Sequence, residues 1–394
     1  MVNKEGIKNI ILIAVAVIIA VVIIHMLGLF SGISTSLSIP NTLTTTIPSN
    51  TSALPKVVTS SIPNTLTTTI PSNTSALPKV VNTIATGPNT TPVDIAISPN
   101  GAFAYVSLSM SNYVSVINTR TNTVTNNISV GNGPTSIVFA PTGDYAYVTN
   151  TRSDTVSVIN TTTNKVIATI SVGSEPINIA ITPNGKYVFV DYLDSAMVSV
   201  INTTLNIVVN TITGPPNTYL IAGYSHIRLH NIAVNPLGNL AYIGFGEGIF
   251  VINTNNFTTS IIPYNSIPGY WTESQDAFLT DGAGIAFAPS GGYAYVTNPV
   301  TNNTFVINTT TGKSIIAIKV GTYPEGVAIN PVNGYIYVAN YGNDSISVIN
   351  NATDSVTNNI SVGFNPSSIA ITPNGDYAYV TNTNSDTISV IYIG

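Results

Sequence analysis

The chain is 394 residues long, enough for one large domain or two ordinary ones, with 44% hydrophobic and 7% charged residues and a net charge of −5. Its polarity is carried by 47 Asn with many Ser and Thr, and its basic residues are scattered, so a phosphate-neutralising footprint for nucleic acid is excluded. With no Cys, disulfides, Cys-ligated zinc, iron–sulfur clusters and c-type haem are excluded as well, and stability rests on packing and chain closure. Sparse charge also leaves few native ion pairs for acid to break, which predicts a fold that tolerates low pH.

In chain order, residues 1–9 read as a cytoplasmic N-terminus and residues 10–30 as a transmembrane helix. Ile10 to Phe30 carry no formal charge, and at ~1.5 Å per residue they span about 30 Å of hydrocarbon. Lys4 and Lys8 precede this run and no charge follows until Lys56, so the positive-inside rule places the rest of the chain outside the cell. A cleaved signal peptide is the alternative, but the apolar run is long for one and no A-x-A site follows. Residues 31–78 are rich in Ser, Thr, Pro and Asn and read as a stalk. Within it Ser38–Val58 recurs word for word as Ser61–Val81. Extended Pro-rich chain of this length reaches on the order of 100 Å.

From residue 79 the pattern becomes periodic. Pro-x-Gly turns begin at Pro99, Pro141, Pro183, Pro236, Pro289 and Pro373, with Pro331-Val332-Asn333-Gly334 as a variant, at spacings of 42, 42, 53, 53, 42 and 42. Each unit carries four alternating apolar segments separated by Gly, Asn and Pro, which predicts an all-β, seven-bladed propeller of four-stranded blades over residues 79–394. The last unit stops at Gly394 after its third strand. Lys79–Ile84 aligns with the fourth strand Lys165–Ile170, so this N-terminal strand is expected to complete the last blade and close the ring.

Tyr147-Val148-Thr149-Asn150, Tyr295-Val296-Thr297-Asn298 and Tyr379-Val380-Thr381-Asn382, with Tyr337-Val338-Ala339-Asn340 as a near match, resemble the signature of the YVTN-family β-propeller repeats. The resemblance implies the propeller fold. It points to archaeal surface-layer proteins and extracytoplasmic propellers of unknown ligand, with lactonase-type propellers as more distant relatives. Three units depart from the signature, at Tyr105–Leu108, Phe189–Tyr192 and Tyr242–Phe245.

Sorting loops by face gives an acidic face, with twelve carboxylates against Arg152 and Arg228, which would draw cations or cationic ligands. On it Asp154, Asp344 and Asp386 recur in one turn and are expected to cap backbone. Both 53-residue spacings come from insertions between fourth and first strands, near 214–229 and 261–282. The candidate ligand-binding residues are Asp191, His226, Arg228, His230, Tyr270, Trp271, Glu273, Asp276 and Asp281, because long loops on a rigid scaffold hold unique reactive and stacking groups. Trp271 with Tyr270 could stack on a sugar ring or pin the insertion to its blade. His226 and His230 have no recognised metal-ligand spacing, and no motif calls for a cofactor. Twelve Asn-x-Ser/Thr sequons allow glycosylation but match what this composition gives by chance.

With no Gly-x-Ser-x-Gly elbow and few His, the expectation is a surface-layer-like display protein, not an enzyme, binding a cell-surface glycan, a protein or a cationic ligand. Two alternatives stand beside it: a membrane-tethered lactonase-like hydrolase pairing His226 with Asp191, and a purely structural lattice component.

Overall fold

The computed structural model describes residues 77–193, 195–214, 229–245, 248–263 and 284–394. The apolar segment 10–30 and the stalk to residue 76 lie outside the described residues. Among the described residues no helix is long and apolar enough to cross a membrane.

The expected seven four-stranded antiparallel sheets are present, each with its strands in chain order. The last sheet adds the N-terminal strand Lys79–Ala85 to the edge of Thr387–Tyr392, pairing Lys79 with Tyr392 and Ala85 with Thr387. Innermost strands Pro92–Ile97, Pro134–Phe139, Pro176–Ile181, Leu229–Val234, Ile285–Phe287, Pro324–Ile329 and Pro366–Ile371 contact one another in a closed ring, the last meeting the first. Chain closure therefore replaces disulfides: the residues that close the ring are separated by almost the whole domain.

The blades form because β-branched residues alternate along each strand and seven apolar layers fill the spaces between neighbouring sheets. In the N-terminal strand only Ile84 is buried, at 6% exposure. It occupies the place held by Ile128, Ile170, Ile212, Ile318 and Ile360 in the other fourth strands, all buried. The Pro-x-Gly turns need a left-handed residue, and Gly143 and Gly185 take φ of 82° and 71°.

The tyrosine that opens the second strand's repeat couples one blade to the next, in Tyr379 of the signature and in Tyr105 of a unit that departs from it. Tyr379 Oη donates to Asn122 Oδ1 of the first blade at 2.6 Å, and Tyr105 Oη donates to Asn164 Oδ1 of the second at 2.5 Å. Asn122 and Asn164 both hold left-handed φ, of 53° and 52°, which Asn tolerates. The signature Asn works within its own blade: Asn150 Nδ2 donates to Ser157 Oγ at 2.9 Å and Asn382 Nδ2 to Ser389 Oγ at 2.9 Å. In the third blade Tyr192 takes over, donating from Oη to Ser199 Oγ at 2.5 Å and accepting from Gly173 N at 2.9 Å.

Asp154, Asp344 and Asp386 do cap backbone, but in the following blade. Each sits in the left-handed region, with φ of 55°, 53° and 51°. Asp154 Oδ1 accepts from Glu175 N and Asp344 Oδ1 from Asn365 N, both at 2.8 Å. Across the ring closure Asp386 accepts from the N–H groups of Asn89, Thr90 and Thr91 at 2.7, 3.0 and 2.9 Å. Burial alone would raise the Asp386 carboxyl, but these bonds together hold it below the usual 3.8.

Candidate site at the head of the inner strands

Most inner strands begin with a bulge just after the first residue, as between Pro134 and Ile137 and between Pro366 and Ile369. The bulge releases a backbone N–H from the ladder, and a hydroxyl on the second strand receives it. Ser136 N donates to Thr149 Oγ1 and Ser368 N to Thr381 Oγ1, both at 2.9 Å. The same hydroxyls donate onward, Thr149 to Ile177 O of the next blade at 3.0 Å and Ser107 to Thr135 O at 2.7 Å. A polar belt thus runs along much of the head of the ring, broken at the fourth and sixth blades, which have Gly244 and Ala339 at this place.

Two carboxyl groups interrupt this belt. Asp191 stands where other blades have Thr149, Thr297 and Thr381, and it is wholly buried. Its Oδ1 accepts from Asn178 N at 2.9 Å and its Oδ2 from Asn178 Nδ2 at 3.2 Å. Burial pushes the carboxyl up to about 7, against the smaller lowering effect of these two bonds.

Asp94 is the second, and its role was not foreseen beyond its place on the acidic face. It is half-buried, and its carboxylate lies between the inner strands of the two neighbouring blades. Oδ1 accepts from Ser368 Oγ at 2.7 Å and from Ile95 N at 2.9 Å. Oδ2 accepts from Ser136 Oγ at 2.8 Å and from Ile137 N at 2.9 Å. Burial raises its carboxyl above the ordinary 3.8 although all four bonds oppose this. The signal available in sequence was its uniqueness: the aligned inner-strand residues are Ser136, Asn178, Gly326 and Ser368.

Of the nine residues singled out from sequence, Asp191 alone is fully described. His226, Arg228, Tyr270, Trp271, Glu273, Asp276 and Asp281 lie outside the described residues. His230 belongs to the inner strand Leu229–Val234, its backbone opposite Gly244, so it enters at the same end of the ring as Asp94 and Asp191. Asp191 has no surface from which to meet a ligand directly. Fewer carboxylates of the acidic face are free to meet a ligand than their count suggests, because burial raises the Asp94 and Asp191 carboxyls and Asp154, Asp344 and Asp386 accept from backbone N–H groups. Among the described residues no group of three or more His, Asp or Glu is placed to hold a metal ion.

A family model described as lactonase, 7-bladed beta-propeller, matches residues 66–207 and 269–394. The gap between the two matched stretches takes in both the fourth blade and the first insertion. No curated protein matches the chain. Among solved structures, Kuenenia stuttgartiensis hydrazine synthase aligns with a TM-score of 0.66 at 21% identity, over 78% of this chain and 97% of that one. At that identity the likeness is one of fold. The family match overturns the expectation that the chain is not an enzyme. That expectation counted nucleophile motifs and His residues and left out carboxyl groups raised by burial, such as Asp94 and Asp191. The chain belongs to the lactonase, seven-bladed β-propeller family.

Proposed function

We propose that this protein hydrolyses a lactone or a similar cyclic ester at the head of the inner-strand ring, and that it does so outside the cell. The observation that carries the reading is Asp94, a half-buried carboxyl raised above its ordinary value at the hub of three blades, in a chain of the lactonase family. A general base works best when its pKa approaches the operating pH, and burial moves Asp94 in that direction.

In the proposed step the Asp94 carboxylate takes a proton from water as the water oxygen bonds to the lactone carbonyl carbon. The tetrahedral intermediate collapses by breaking the ring C–O bond. Asp94 then returns its proton to the departing alkoxide, and the product is a hydroxy acid. Ser136 and Ser368, donating at 2.8 and 2.7 Å, fix the carboxylate's orientation. Each insertion leads along the chain into an inner strand, and His226, Trp271 and the strand residue His230 are the groups we assign to substrate selection.

Asp94→Asn tests the assignment. Loss of a general base should lower kcat on five- and six-membered lactones by about 10²- to 10⁴-fold, with the far-UV spectrum unchanged. Absence of turnover by the unaltered full chain on any such lactone would remove the reading. The placement outside the cell rests on the uncharged run Ile10–Phe30 behind Lys4 and Lys8. Membrane fractionation with protease accessibility of intact cells checks it, and a protected propeller would refute it.

A further inference from the structure

On the opposite face, a cavity of about 340 Å³ opens between the last blade and the first, lined by Asn100, Thr119, Arg120, Asn374, Tyr377 and Tyr379 among others. It lies at the ring closure, between the first-to-second-strand turns of both blades and the third-to-fourth-strand turn of the first. The turns that form it recur in the other blades, so its differences from them are informative.

Arg120 is the principal difference. At its place in the aligned turns stand Thr162, Thr204, Asn255, Thr310 and Ala352, none of them charged. Arg120 is exposed, its backbone N–H is capped by Asn118 Oδ1 at 3.0 Å, and among the described residues its guanidinium has no carboxylate or hydrogen-bond partner. The nearby carboxylate, Asp376, does not line the cavity and is held by Asn374 Nδ2 at 2.6 Å. Tyr377 is half-buried and set edge-on to Tyr392 at 5.6 Å between centroids. Tyr379 beneath it spends its hydroxyl on Asn122 and on Thr119 O. Between the third and fourth blades the corresponding groove is apolar instead, because Phe257 packs against Tyr187 and Phe189 at 5.4 and 6.3 Å.

We infer that the groove between the last and first blades is a binding site for an acidic sugar. An unpaired guanidinium recognises a carboxylate with paired, charge-assisted hydrogen bonds. Tyrosine and asparagine amides supply the stacking surface and hydrogen bonds that a pyranose ring uses. The cavity is of monosaccharide to disaccharide size, and its lining combines polar side chains with the apolar surfaces of Pro373 and the tyrosines. The site is independent of the lactonase reading, on the other face of the ring.

Calorimetric titration of the full chain with D-glucuronate should give a dissociation constant on the order of 1 mM, with glucose at least tenfold weaker. Arg120→Thr, which restores the residue of the other turns, should weaken glucuronate at least tenfold while leaving melting temperature and lactone turnover unchanged. A glucuronate oligomer binding more tightly than the monomer identifies a glycan chain as the source; equal binding identifies the free sugar acid. Unaltered affinity in Arg120→Thr, or no heat with glucuronate, overturns the inference. Inorganic phosphate displacing glucuronate at equal concentration also overturns it, because the site would then recognise charge without the sugar.

Discussion

Replacing Asp191 with Thr restores the residue that Thr149, Thr297 and Thr381 provide at the same place in other blades. Asp191 is wholly buried, and among the described residues it meets only Asn178, through its N–H and its side-chain amide, with no positively charged partner. Its carboxyl titrates at about 7 in the fold against 3.8 when free. The folded protein therefore binds this proton more tightly than the unfolded chain does. The group's contribution is fully present below pH 3.8, declines as pH rises, and is lost once pH passes about 7. At ~1.4 kcal/mol per pH unit, holding Asp191 ionised in the fold costs on the order of 4 kcal/mol. Thr carries no such cost: its hydroxyl can accept from Asn178 N as Thr149 accepts from Ser136 N. Protonated Asp191 also offers an O–H donor, as Thr does, whereas the ionised group offers acceptors only.

Asp191→Thr should accordingly melt several degrees above the unaltered protein at pH 8, at about 2 °C per kcal/mol for a domain of this size. The gap should close as pH falls toward 4. Differential scanning fluorimetry across that range reads both curves directly. Parallel curves, or a variant less stable at pH 8, would refute the reasoning. The result also bears on acid tolerance, because a carboxyl of this kind makes the fold firmer as pH falls.

Three further outcomes are expected. Ile84→Ala removes the single buried anchor of the closing strand and should cost ~2 to 4 kcal/mol, with faster proteolysis after Lys79; Val81→Ala, at an exposed position, is the control. Asp386→Ala should cost about 1 kcal/mol at neutral pH, a figure kept small because the carboxylate is partly exposed. Since its folded value is lowered, that stability is present above pH 3.8 and disappears as pH falls through the folded value, so the two proteins should converge in strong acid. Gly131→Ala places a β-carbon 2.6 Å from Asn150 Cγ and should destabilise by roughly 1 to 3 kcal/mol. Adding Asn150→Ala should recover part of that loss, and strict additivity in the double-variant cycle would contradict the packing account.

The sequence alone determined the number of blades, their four strands and the closing of the ring. A repeated turn at a fixed period forces repeated sheets, and a strand missing at one end and spare at the other has one place to go. It also marked Asp154, Asp344 and Asp386 as backbone caps, because three blades use the same residue in the same turn. Only the tertiary structure decided where those caps act, since each carboxylate reaches a neighbouring blade 21 residues on, or across the ring closure in the case of Asp386. The same holds for the buried acids. Asp191 stood out as a departure from the signature, but whether it faced a ligand or an amide depended on the bulge that presents Asn178 to it. Asp94 was one acid among twelve until the ring brought Ser136 and Ser368, far apart in the chain, to either side of its carboxylate. Periodicity is a local property and can be read along a chain; burial and convergence at the head of the inner strands exist only once the ring has closed.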